Sequence, residues 1–116
     1  MNTDILKDFR QDLSRELAAA RSELPELQAG EAAAAEELRS AERAHREMQA
    51  ALALLERESS WFDLRLRWRE ETRNTARGKH SYASGQLQSL RDRICQLESD
   101  LEQVDQVLNP AVEDAA

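Results

Sequence analysis

The sequence predicts an all-α fold: long antiparallel coiled-coil helices with a C-terminal helical hairpin, assembled as a dimeric helical bundle. Three observations carry this. Ala, Leu, Glu, Arg and Gln dominate, only 4% of residues are aromatic, and 116 residues contain three Gly and two Pro. That is the composition of long helices rather than of a compact globule. One heptad register can be laid along the chain, with 23 of its 30 a and d sites apolar, a sustained coiled-coil pattern. Finally, the stretch Leu52–Arg69 has two apolar seams where a simple hairpin helix needs one.

The first helix is expected over residues 3–73. Thr3 or Asn2 serves as N-cap, with Asp4 in the first turn. Its seam runs through Leu6, Leu13, Leu17, Ala20, Leu24, Leu27, Ala34, Leu38, Ala41, Met48 and Leu52. Pro25 removes a backbone donor and crowds the preceding turn, and Gly30 adds a second weak point. A Pro in the first turn of a fresh helix capped by Ser22 would also fit. The unchanged heptad phase on both sides favours a kink at Pro25 over a reversal. Ala34 and Ala41 at d positions would let two helices approach closely.

Within Leu52–Arg69 the two seams lie on roughly opposite sides of a helix at about 100° per residue. One is Leu52, Leu55, Ser59, Phe62 and Leu66; the other is Leu54, Trp61, Leu64 and Trp68. A helix apolar on two sides is usually sandwiched between partners, so both tryptophans are expected to be covered.

The break is expected at 74–84. Asn74-Thr-Ala-Arg-Gly78-Lys-His-Ser-Tyr-Ala-Ser-Gly85 is the segment of lowest helix propensity. Gly78 suits a C′ position and Ser81 or Ser84 the next N-cap. A last helix over 84–108 then ends at Asn109-Pro110. It folds back so that Leu87, Leu90, Ile94 and Leu97 meet Leu55, Phe62 and Leu66. Residues 1–110 form one elongated domain, and 111–116 a disordered tail.

Charge supplies a register for the dimer. The net charge is −7. Residues 1–58 carry 13 acids and 8 bases, 59–80 carry 3 acids and 6 bases, and 81–116 carry 7 acids and 2 bases, so a basic waist lies between acidic arms. Asp4, Asp8, Asp12 and Glu16 form an acidic row at i, i+4 spacing; Arg65, Arg69, Arg73 and Arg77 form a basic row of the same length. Laid antiparallel between two chains, Asp4 meets Arg77, Asp8 meets Arg73, Asp12 meets Arg69 and Glu16 meets Arg65. The same offset sets Leu13 opposite Trp68, Leu17 opposite Leu64, Ala20 opposite Trp61 and Leu27 opposite Leu54, with a two-fold axis near residues 40–41. Solvated helix faces are the plainer explanation of both rows.

Motifs for chemistry are sparse. His45 and His80 occupy a positions without Cys or carboxylates at metal-ligand spacing, which reads as core histidines that set register and not as a metal site. Cys95 is the lone cysteine; it allows no internal disulfide and has no His at helical spacing to activate it. The adjacent acids Glu36-Glu37 and Glu70-Glu71 point in different directions. No phosphate loop or Ser/His/Asp pattern occurs. No enzyme, cofactor or metal is therefore expected. With no long apolar run, a soluble, cytoplasmic protein is expected, and Fourteen Arg against two Lys points to a GC-rich bacterial or phage genome. The function read from the sequence is a protein-interaction module (adaptor, scaffold or regulatory subunit), pairing with itself as an antiparallel homodimer and with another protein, and not with a membrane. Two alternatives remain. The basic waist 65–80, with Trp68 among its arginines, could hold nucleic acid, or the acidic arms could let an inhibitor of phage type mimic nucleic acid.

Overall fold

A computed structural model describes residues 3–55 and 59–109. They form a helical hairpin of two long helices, α1 (Thr3–Ala53) and α2 (Ser60–Leu108), with no strand among the described residues. By its internal contacts the chain divides into two units, one of Met1–Glu26 with Leu87–Ala116, the other of Leu27–Gln86; the sequence predicts one domain over 1–110. The expected tail 111–116 lies outside the described residues.

In the first unit the heptad seam becomes a core. Leu13, Leu17 and Ala20 of α1 and Leu87, Leu90, Ile94, Leu97 and Val104 of α2 are all buried. Ion pairs flank it: Arg10 with Asp105, and Arg21 with Glu98 at 3.5 Å. Asp105 also raises the Arg10 pKa, first through their hydrogen bond and then through its charge.

The second unit uses the same heptad positions but fills them with smaller and more polar groups. Leu27, Ala34, Leu38, Ala41, Met48, Leu52, Phe62, Leu66 and Ala83 are half-buried, while Ala76 and His45 are buried. The polar a and d residues are matched to one another across the hairpin. Glu31 meets His80 at 2.9 Å, and His45 lies 3.2 Å from Arg73 and 3.5 Å from Glu70. Outside the seam Lys79 reaches Glu37 at 3.0 Å and Arg77 approaches Glu42 at 4.0 Å. Partner numbers fall along α2 as they rise along α1.

The chain therefore turns elsewhere than its propensities predict. The expected turn at 74–84 is absent: Asn74–Gly85 is helical throughout. Its two glycines and short polar residues cost roughly 1 kcal/mol per Gly relative to Ala. Buried Ala76 and the pairs of Lys79 and His80 hold the segment helical against that cost, a tertiary override of a weak local preference. α1 ends at Ala53 and not at 73. Its last turn tightens to i→i+3 bonds, from Leu54 N–H to Ala51 and Leu55 N–H to Leu52. Ser59 opens α2 by accepting the Trp61 N–H on its hydroxyl at 3.2 Å, an N-cap. The Ser-Ser pair with Asp63 in the first turn was the available sign of this boundary. It was masked because the heptad phase happens to run on across the connection.

One further expectation changes with it. Leu55, Phe62 and Leu66 do not pack against Leu87, Leu90, Ile94 and Leu97, because Phe62 and Leu66 share α2 with those residues and Leu55 is exposed. Pro25 does not reverse the chain, since α1 is continuous through it; its ring sits on an exposed position.

Two expected results follow. Cysteines at positions 31 and 80, in a Cys95→Ser background, should be joined within one chain by a short bifunctional maleimide. Cysteines at 66 and 97 should not. Mass spectrometry of non-reduced peptides would check this, and the reverse pattern would restore the turn at 74–84. In addition, an added Cβ at Gly30, Gly78 or Gly85 would meet nothing within 4 Å. Gly→Ala at each should therefore stabilise the protein by about 0.5–1 kcal/mol, from helix entropy alone, as read by urea unfolding; a loss of stability would show that the segment is not helical.

Candidate interaction surface

The second apolar seam of the waist is a surface that the fold leaves uncovered. The Ser59 cap starts α2 so that Phe62 and Leu66 turn toward α1, both half-buried. Trp61, Leu64 and Trp68, at i, i+3 and i+7, then fall on the outward side. They are 57%, 60% and 55% exposed, and Leu54, in the turn after α1, is 84% exposed. With Arg65, Arg67 and Glu71, the three α2 side chains line a shallow groove of about 480 Å³. The expected burial of both tryptophans does not occur within the chain.

Two guanidinium groups lie on the indole rings. Arg65 sits 4.7 Å from the Trp61 ring centre and Arg69 4.9 Å from that of Trp68. Such contacts contribute about 0.5–1 kcal/mol at exposed sites, enough to hold the rings without covering their outer faces. One turn further, Thr72 donates its hydroxyl to the Trp68 carbonyl at 3.0 Å.

The basic row is split by the fold. Arg65 and Arg69 serve the tryptophans, Arg73 turns into the seam to His45, and Arg77 leans to Glu42. Arg69 and Arg73 are half-buried, each with a buried Nε that lacks a hydrogen-bond partner. The four do not form one solvated stripe. The acidic row, by contrast, is exposed along its whole length. Its only ion pair among the described residues is Asp12 with Arg15 at 3.8 Å.

The proposed dimer register loses its apolar half. Leu13, Leu17 and Ala20 are buried in the first unit, Leu27, Ala34 and Ala41 are half-buried in the seam of the second, and Ala41 faces Thr72 and Ala76 of its own chain across a small cleft. A second copy cannot use them without opening the hairpin. What sequence reasoning missed on α1 are Ile5 and Phe9, which are off the heptad positions and exposed. The signal was their i, i+4 spacing, on the same side of α1 as Asp12 and Glu16.

No group of three or more His, Cys, Asp or Glu suited to a metal ion occurs among the described residues. Cys95 is exposed. No helix is long and apolar enough to cross a membrane among the described residues. Comparison with protein families, with curated proteins and with solved structures returned no match.

Proposed function

We propose that this chain is a non-enzymatic protein-interaction module that works by presenting the Trp61–Leu64–Trp68 face beside the turn of its hairpin. The observation that supports it is the exposure of these three large apolar side chains on one helix side, with Leu54 close by in sequence. Covering the exposed half of one Trp removes roughly 75–125 Å² from water, about 2–3 kcal/mol at 25 cal/mol/Å². A pair of such rings on a rigid helix is the kind of anchor around which helix-face interfaces are built.

The test is photo-crosslinking in the native host, with a benzophenone amino acid in place of Leu64. A discrete covalent adduct should form, and it should vanish when Trp61→Ala and Trp68→Ala are added. No adduct of any mass would overturn the reading.

Stacking of a single strand on Trp61 and Trp68 is the second reading, favoured by the arginines over both rings. The diversion of Arg73 and Arg77 to partners within the chain weighs against it. It requires a gel shift that weakens steeply with salt.

A further inference from the structure

We infer that the Trp61–Trp68 face docks against the N-terminal face of α1 from a second copy of this chain, with Phe9 as the counterpart anchor. The inference rests on the proposed function and names the occupant of that surface.

The two faces match in polarity and in charge. Ile5 and Phe9 are 61% and 49% exposed, one turn apart on α1 at i, i+4. Asp8, Asp12 and Glu16 border them, all exposed. The tryptophans are bordered by Arg65, Arg67 and Arg69, with Glu71 the one acid among the described residues that line the groove. The nearby acid Glu70 is turned toward His45, and Asp63 lies on another side of α2, two residues from both Trp61 and Arg65. So an apolar strip with an acidic border faces an apolar strip whose border is net basic, three arginines against Glu71, and both lie free of the hairpin seam.

The spacings also coincide. With the two helix segments laid in opposite directions and Phe9 over Trp68, Asp12 falls opposite Arg65 and Asp8 opposite Arg69. This keeps the acid-to-base pairing readable in the sequence but shifts it by about one turn. Opposite Trp68 it replaces buried Leu13 by exposed Phe9, while Glu16 falls opposite Trp61 and Ile5 opposite Thr72. Approach of Asp12 would draw the Arg65 guanidinium toward a carboxylate while it still covers Trp61. Phe9 against Trp68, with Ile5, Trp61 and Leu64 at the margins, makes a contact of modest area. Specific interfaces bury at least about 1,000–1,200 Å², so the association should be reversible, with a dissociation constant in the micromolar range.

Sedimentation equilibrium of the purified chain, over a wide span of concentrations, tests it. Reversible self-association is expected. Phe9→Ala and Trp68→Ala should each weaken it at least tenfold without loss of helical circular dichroism. Arg65→Asp should weaken it several-fold, Asp12→Arg likewise, and the two together should restore it, with a smaller effect at high salt. In the purified protein, benzophenone at position 64 should give an adduct of twice the chain mass, crosslinked within residues 4–16. Self-association lost on Trp68→Ala but indifferent to Phe9→Ala and Asp12→Arg would overturn this inference and leave the Trp face as a docking surface. A chain monomeric at every concentration would also overturn it, and the adduct formed in the native host then decides whether the face serves another protein.

Discussion

Leu90→Ala should lower the unfolding free energy by about 2–5 kcal/mol, the usual cost of emptying a buried leucine site, whereas Leu64→Ala should change it by less than about 0.5 kcal/mol. Leu90 is buried in the first unit and Leu64 is mostly exposed. A two-helix structure has a single layer of seam contacts, so few neighbours can relax into the space left behind. Domain stabilities are only about 5–15 kcal/mol, which makes one leucine a large share. Urea unfolding followed by helical circular dichroism would read both variants. If Leu64→Ala proved the costlier, the outward face of α2 would be a core after all and the hairpin arrangement would be wrong.

A second large effect is expected from the polar layer around His45. The ring is buried, with Nδ1 3.2 Å from an Arg73 terminal nitrogen. A guanidinium only donates, so Nδ1 must accept, which places the ring proton on Nε2, 3.5 Å from Glu70. That distance is too long for a good hydrogen bond, and Nε2 is left without a partner. Arg73→Leu alone should cost about 1–3 kcal/mol, because it strands a buried acceptor. His45→Leu together with Arg73→Leu should return stability to the wild-type value or above it, since removing both polar partners removes the desolvation they imposed. A double-mutant cycle by urea unfolding checks this. Effects additive within about 0.5 kcal/mol would mean that the two groups do not act as a pair.

The heptad pattern was legible in detail. Leu13, Leu17, Ala20, Leu87, Leu90, Ile94 and Leu97 fall on the seam by spacing alone, and all are buried. The polar exceptions at Arg10, Glu31, His45, Ser59, Arg69, Arg73 and His80 read as interruptions in one dimension. In three dimensions most find each other or a nearby acid: Glu31 with His80, His45 with Arg73, Arg10 with Asp105. That matching could not be read until the turn was placed, because it depends on which residue lies opposite which.

The chain turns away from its weakest helical segment for a definable physical reason. Local propensity marks Asn74–Gly85 as weak helix, and no Gly or Pro marks the segment from Leu54 to Ser59. The difference in intrinsic propensity is a few kcal/mol at most. Pairing the halves of the chain about the later position would set the arginines of the waist near Arg91 and Arg93. Turning at Leu54–Ser59 instead brings Glu31, Glu37 and Glu42 to His80, Lys79 and Arg77.

The residues by themselves determined helix, seam and the presence of a surplus apolar face, because a period of 3.6 residues is a property of one chain segment and shows in its spacing. Only the tertiary structure decided where the chain reverses, and with it which of the two seams at the waist is used up. The side chains of α1 can cover one side of α2 and not the other. Once Phe62 and Leu66 are turned to α1, Trp61, Leu64 and Trp68 must face outward, and the leucines that seemed free to bind them are already packed within the hairpin.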